Sequence, residues 1–294
     1  MSKTFHGAGV ALITPFDADQ KIDYNSLGRL VDNQLENHMD FLVALGTTAE
    51  TSTLSGEEKQ AVIDFVIARV AGRVPVMVGV GGNCTAEVVE QLTVLNLQKA
   101  EGILSVVPYY SKPTQEGIYQ HFKAIAAATP LPVMVYNVPG RTGTSMSAET
   151  TLRLAHDCAN IIGTKEASGN FAEIIKILKG KPDHFSVITG DDGLVVPTIS
   201  LGGEGVISVA ANLAPRLISA MTHYALNGDY SNAAAIQLEL QPIVEDLFAE
   251  GNPPGVKAAM HSAGMCENQL RLPMVPVSEK LYNSLTEKTK RLTK

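Results

Sequence analysis

GAGVALITPF (7–16) is the first apolar run of the chain, and what it lacks decides between two folds. The run is continuously apolar rather than alternating, as expected of a parallel strand buried on both faces. An open doubly wound sheet would carry a glycine fingerprint of the G-x-G-x-x-G kind after this strand, and none follows it. Seven similar runs come after it: FLVALG (41–46), VPVMVGVG (74–81), GILSVVPYY (102–110), LPVMVYNVP (131–139), IIGTKEA (161–167), FSVITGD (185–191) and EGVISVA (204–210). Helical patterns fill the gaps. The clearest spans 55–72, where Ser55 and Glu58 form a capping box, apolar residues recur at Val62, Phe65 and Val66, and Gly72 suits the C-terminal cap. Others fall at 24–37, 85–100, 115–128, 147–156, 170–179, 193–201 and 214–226. Eight βα units in 294 residues predict an α/β fold, a closed (β/α)8 barrel of the TIM type.

The strands stop near residue 229. Helical patterns at 230–250, 255–264 and 278–292, separated by GNPPG and RLPMVPVS, predict a C-terminal helical extension over 229–294 behind a barrel catalytic domain over 1–228. The extension is expected to pack on the barrel or on a neighbouring subunit. A hydrophobic content of 45% supports a large core, and 18% charged residues is too few for a disordered chain. The net charge of −7 gives no footprint for nucleic acid, and the closing KTKRLTK reads as a solvated helix end. Cys84, Cys158 and Cys266 have no zinc-like spacing and fit reduced thiols. Residues 1–16 lack a basic region followed by an apolar core, and no apolar run reaches membrane-spanning length. A soluble cytoplasmic protein, with neither nucleic-acid nor membrane partner, is expected.

Barrel active sites lie at the C-terminal ends of the strands. The residues there are Thr47 and Thr48 after the second strand, Tyr109 and Tyr110 after the fourth, 136–141 at the fifth, Lys165 at the sixth and 190–192 at the seventh. Lys165 ends an apolar run, where an amine either finds a partner or gives up its proton and becomes a nucleophile toward carbonyls. Equally, a strand-end lysine can simply reach for water. Strand alternation puts Gly163, Lys165 and Ala167 on one face, leaving space around the amine, and Ile162, Thr164 and Glu166 on the other. Tyr136 could serve as the acid–base partner or pack in the barrel with its hydroxyl satisfied. GTT (46–48) could hold a small carboxylate or be an ordinary turn, and Arg141 could grip a carboxylate or lie on the surface. Asp191 and Asp192 fit a helix cap better than a metal site, and the scattered histidines offer no metal-ligand spacing. G-x-S-x-G is absent, which removes the usual signature of serine hydrolysis.

Taken together, GTTAET (46–51), PYYSKPTQEGIYQHF (108–122), YNVPGRTG (136–143), IIGTKEASGN (161–170), ITGDD (188–192) and GVISVAAN (205–212) resemble the dihydrodipicolinate synthase / N-acetylneuraminate lyase family of class I aldolases. NPPGVKAAM and RLPMVPVS fit as well, so the resemblance covers nearly the whole chain. It implies a Schiff base between Lys165 and pyruvate, with Tyr136 as acid–base tyrosine, Thr47 as proton relay and Tyr110 lent by a neighbouring subunit. Thr48 and Thr47 would hold the pyruvate carboxylate, and Gly190 and Ile207 would offer backbone contacts. Arg141 matches the arginine of the synthase branch, which meets the carboxylate of L-aspartate 4-semialdehyde. Sialic acid lyases and sugar-acid aldolases, the sister reading, usually carry another residue there. A catalytically silent barrel is the remaining alternative, though such copies normally lose the lysine or the tyrosine. The resemblance further implies a homotetramer built as two tight dimers and no metal or organic cofactor. Asn83, Glu87 and Tyr109 match a site where L-lysine regulates many relatives, but Gly56 and Lys59 stand where lysine-sensitive relatives often have histidines. Weak or absent lysine inhibition is therefore expected. Ala49 replaces a usual glycine and is expected to be tolerated.

Overall fold

The computed structural model describes residues 4–292. Eight parallel strands close into one barrel in sequence order: β1 (Gly7–Ala11), β2 (Phe41–Ala44), β3 (Val76–Gly79), β4 (Gly102–Val106), β5 (Val133–Asn137), β6 (Ile161–Glu166), β7 (Ser186–Thr189) and β8 (Gly205–Ser208). The seam between β1 and β8 is parallel like the rest, with Gly9 opposite Ile207. Asn212 pins it: its side-chain oxygen accepts from Ile13 N at 3.1 Å and its amide donates to the Ala11 carbonyl at 2.8 Å.

The strands end sooner than the apolar runs. After Ala11, the buried residues Leu12, Ile13 and Phe16 belong to the loop, and after Val106 the chain turns into the segment carrying Tyr109 and Tyr110. Apolar content marks burial, and at the C-terminal rim buried chain continues past the ladder. The helix at 56–70 is capped as the sequence predicts: Ser55 Oγ accepts from Glu58 N, and the Glu58 carboxylate accepts from Ser55 N. At its other end Ala71, rather than Gly72, is the first left-handed residue, with φ 51°. The helix expected over 85–100 stops at Val94, and Leu97 and Ala100 are buried as loop residues. The one expected over 193–201 begins as a 3-10 turn, Asp192–Leu194, before Val195–Ser200.

Inside the barrel, Phe5 and Phe41 meet edge to face with centroids 5.5 Å apart, and Met77, Leu104, Met134, Ile188 and Ile207 fill the layers around them. Each such side chain removed from water contributes roughly 1.5–3 kcal/mol. A second apolar shell lies between strands and helices. The pairing of β5 with β6 shifts: Val133 faces Ile161, but Met134 faces Gly163. Ile162 is thereby skipped and packs against the inner cluster, so it does not share the outer face with Thr164 and Glu166 as strict alternation predicts. Beyond the shift, Tyr136 stands opposite Lys165 and Asn137 opposite Glu166.

Asp229 caps the first helix of the extension, Tyr230–Ala249, which packs on Pro215–Leu226 and Val195–Ser200. Pro254–Ser262 reaches the turn Ala210–Asn212, and Glu279–Leu292 packs on both other helices of the extension. Residues 1–3 and 293–294, which include the start of the leader region and the end of KTKRLTK, lie outside the described residues. Among the described residues no helix is long and apolar enough to cross a membrane.

Candidate active site

Lys165, the penultimate residue of β6, stands at the barrel mouth with only 5% of its surface exposed. Its Nζ lies 4.3 Å from the centre of the Tyr136 ring. Burial lowers its pKa from the usual lysine value to about 7; the Asp192 carboxylate pulls upward and the Arg141 charge pushes further down. A strand-end lysine reaching for water would be exposed and keep an ordinary pKa, and Lys165 does neither. The room around it comes from an unexpected quarter. A Cβ on Gly190 would stand 2.6 Å from Lys165 Cε and 3.0 Å from Ala167 Cβ, so only glycine leaves space for the lysine stem. Gly163, expected to supply that space, instead abuts the Ser186 carbonyl.

Tyr136 is buried, and that burial pushes its phenol above the usual tyrosine range, against the pull of Arg141 and of a hydrogen bond with Thr47. Thr47 and Thr48 sit in a 3-10 turn, Thr47–Ala49, where Ala49 takes a right-handed conformation open to any residue. The departure from glycine at Ala49 thus costs nothing in backbone strain. The approach of this turn depends on Gly79, where a Cβ would come within 2.0 Å of the Leu45 carbonyl oxygen. Thr47 is exposed and Thr48 buried. Asn252 Nδ2 donates to Thr48 Oγ1 at 2.9 Å, which leaves the threonine proton free to donate elsewhere. The Asn252 backbone carbonyl accepts from Arg141 Nη1 at 3.4 Å, and its buried side-chain Oδ1 has no hydrogen-bond partner among the described residues. Arg141 lies in a single helical turn, Pro139–Thr142, rather than in an irregular loop.

Three residues here escaped the sequence reading. Asn252 opens NPPGVKAAM, a segment that reads as a helix separator and as part of the resemblance, with no role of its own. Asp191 and Asp192 read alike as caps, and Asp191 does cap, accepting from Gly193 N at 3.0 Å. Asp192 is instead fully buried, bonded to Ser208 Oγ and accepting from Val209 N at 3.0 Å and Ala210 N at 3.2 Å, which ties the β7 and β8 loops together. Glu166, on the far face from Lys165, accepts from Asn137 Nδ2 at 3.1 and 3.2 Å and from Ser168 N at 2.8 Å. It thus locks the tops of β5 and β6, next to Tyr136 and Lys165. The signal for Glu166 is its place beside Lys165; Asp192 and Asn252 lie in segments the resemblance covers, ITGDD and NPPGVKAAM, but their partners are distant in sequence.

A cleft of about 510 Å³ opens beside Thr47, Tyr136 and Arg141 and extends past Lys59, Asn83, Glu87 and Tyr109; Lys165 and Thr48 are not among its lining residues. Ile207 is buried in the barrel interior. Tyr110 is not brought to the site of its own chain: it is 88% exposed, with φ of 73°, a left-handed conformation unusual for so bulky a residue. The arrangement offers a weakly basic amine for attack on a carbonyl, a phenol and hydroxyl to move protons, and a guanidinium at the mouth for a carboxylate. Among the described residues no group of three or more His, Cys, Asp or Glu side chains converges as a metal site would require.

A model of the Dihydrodipicolinate synthetase family matches residues 4–292. The chain is similar to the 4-hydroxy-tetrahydrodipicolinate synthase of Parabacteroides distasonis, 53% identical over 98% of this chain and 97% of that one. Among solved structures, the dihydrodipicolinate synthase from Aquifex aeolicus superposes with a TM-score of 0.95 at 42% identity, covering 98% of each chain. Another, described as the first monomeric dihydrodipicolinate synthase variant, superposes with a TM-score of 0.96 at 39% identity, over 99% of this chain and 97% of that one.

Proposed function

The chain belongs to the dihydrodipicolinate synthetase family, and from that premise we propose that its barrel condenses pyruvate with L-aspartate 4-semialdehyde to 4-hydroxy-tetrahydrodipicolinate, the first committed step of the diaminopimelate and lysine pathway. The observation that carries the reading is the buried Lys165, with a pKa near 7, facing Tyr136, with Arg141 at the mouth. The neutral amine adds to the pyruvate ketone, and Tyr136, with Thr47, supplies the proton that lets the carbinolamine hydroxyl leave as water. Loss of a methyl proton from the protonated ketimine gives the enamine. Its carbon attacks the aldehyde of the second substrate. The substrate amine then displaces Lys165 and closes the ring. Thr48 donates to the pyruvate carboxylate with the proton that Asn252 leaves free, and Arg141 takes the carboxylate of the semialdehyde. Gly190 and Ile207 offer backbone contacts to the substrates.

The test mixes purified protein with both substrates and follows NADPH loss through a coupled dihydrodipicolinate reductase, with N-acetylneuraminate cleavage run in parallel. Turnover with the semialdehyde and none with the sugar acid is the expected result; the reverse would assign the sister aldolase reaction. No turnover of either, and no pyruvate trapped by borohydride, would mean a silent barrel.

Two results should accompany it. Because Lys165 must be neutral to attack, kcat/KM for pyruvate is expected to rise about tenfold per pH unit below about 7 and level off above it. Arg141→Gln should lower kcat/KM for the semialdehyde roughly 100-fold, as loss of a charged bidentate contact implies. It should also move the pyruvate limb upward, because the Arg141 charge lowers the Lys165 pKa. A semialdehyde constant unchanged by this substitution would sink the role.

Regulation and assembly follow from the same cleft. Lys59 lines it together with Asn83, Glu87 and Tyr109, and its cation opposes a cationic effector. Sub-millimolar L-lysine should leave the initial rate unchanged; potent inhibition would overturn this. We take Tyr110 to complete the site of a second copy in a tight dimer, two of which would pair as a tetramer. An active isolated monomer would contradict the Tyr110 role. A cytoplasmic location fits this chemistry.

A further inference from the structure

The turn that carries Thr47 and Thr48 is bracketed by two residues in a conformation that side chains disfavour. Leu45 has φ 56° and Glu50 has φ 53°, the left-handed region that non-glycine residues occupy when their surroundings force it. For Glu50 the force is visible. Its carboxylate is buried; Oε1 accepts from Lys257 Nζ at 2.5 Å and Oε2 from Arg271 N at 2.9 Å. Lys257 is fully buried, donates as well to the Gln269 carbonyl at 2.9 Å, and lies 4.2 Å from the centre of the Phe16 ring. Arg271 adds a bond from Nη1 to the Thr53 carbonyl at 3.1 Å and an ion pair with Glu58 at 2.6 Å. Every one of these donors comes from the C-terminal extension.

Stability alone is a weak reason for such a pair, because desolvating two charges is costly and well-packed apolar residues often serve as well. Directionality is what apolar residues cannot supply. The Glu50 N–H donates to the Thr47 carbonyl at 3.2 Å, and Thr51 Oγ1 donates to the Gly46 carbonyl at 2.9 Å, so the orientation of Glu50 passes straight into the threonine turn.

We propose that Glu50 and Lys257 are positioning residues that set Thr47 and Thr48 against Tyr136, and that the C-terminal extension thereby governs proton transfer in the barrel. The proposal rests on the pyruvate-imine reading above. Glu50 and Lys257 bond to each other, to the extension and, through the Glu50 N–H, to the Thr47 carbonyl, so their effect passes through the turn.

Two variants test it: Glu50→Gln, which keeps shape and removes charge, and the double variant Glu50→Leu with Lys257→Met, which keeps the space filled without leaving a lone buried charge. Three quantities are read well below the melting temperature: borohydride trapping of saturating pyruvate on Lys165, exchange of pyruvate methyl protons with deuterated water, and kcat. Trapping should stay complete, while exchange and kcat fall together, roughly ten- to a hundredfold, the scale of a small misplacement of a catalytic group. Exchange at the wild-type rate in a folded double variant would make the pair purely structural and overturn the proposal. Trapping lost in step with exchange would mean collapse of the whole site, and overturn it too. If the wild-type chain traps no pyruvate on Lys165, the imine reading itself fails and the positioning role falls with it.

Discussion

Lys165→Ala is expected to reduce turnover by roughly 10⁴-fold or more, the scale on which enzymes lose activity when a covalent nucleophile is removed, while the barrel stays folded. The side chain is buried between the Tyr136 ring and the bare face of Gly190. Lys257, the other buried lysine among the described residues, has its amine held by Glu50 and the Gln269 carbonyl and cannot substitute. Deleting Lys165 also removes an amine whose charged form burial disfavours, so the melting temperature should be unchanged or raised. Lys165→Arg should fail as well, because a guanidinium does not lose its proton in this range. The coupled assay gives the rate, borohydride trapping gives the adduct, and thermal unfolding shows that the fold survives. Substantial turnover in the alanine variant would rule out Schiff-base catalysis at this residue.

Periodicity made the barrel legible because the signals are local. Each strand lies in a short apolar run, and several helices carry their own side-chain caps, as Ser55 and Glu58 illustrate. Errors fell where burial and ladder pairing part company. Leu12 and Ile13 look like strand and are loop, and Leu97 and Ala100 look like helix and are loop, because tertiary packing buries them without secondary-structure bonds. Ile162 faces the inner cluster, against strict alternation, because a one-residue register shift depends on the neighbouring strand. At the site, Lys165, Tyr136, Thr47 and Thr48 could be found because a barrel gathers its strand ends. Asn252 and Lys257 could not, since each meets its partner more than two hundred residues away in sequence, at Thr48 and Glu50. Nothing near an asparagine before two prolines announces such a contact.

Tyr136→Phe isolates the other half of the chemistry, because it removes one oxygen and keeps the ring against which Lys165 packs at 4.3 Å. The pKa of Lys165 is set by burial, Asp192 and Arg141, not by the Tyr136 hydroxyl, so the amine should remain as reactive as before. What disappears is the proton path through the hydrogen bond to Thr47. Positioned acid–base groups contribute about 10²–10⁴-fold, and a loss of kcat near 10³ is expected. The melting temperature should shift little, since one hydrogen bond is worth about 1 kcal/mol net. The two chemical steps separate by rate: the pyruvate adduct still forms, slowly, and is trapped by borohydride, whereas methyl-proton exchange falls with kcat. In the wild type, burial raises the Tyr136 pKa, so the phenol stays protonated across the range in which Lys165 becomes neutral. Donor and nucleophile are therefore both in their working forms above pH 7, and activity should hold on the alkaline side until the phenol ionises, beyond the usual tyrosine value. A Phe variant that exchanges pyruvate protons at the wild-type rate would remove Tyr136 from the proton path and leave that task to Thr47 alone.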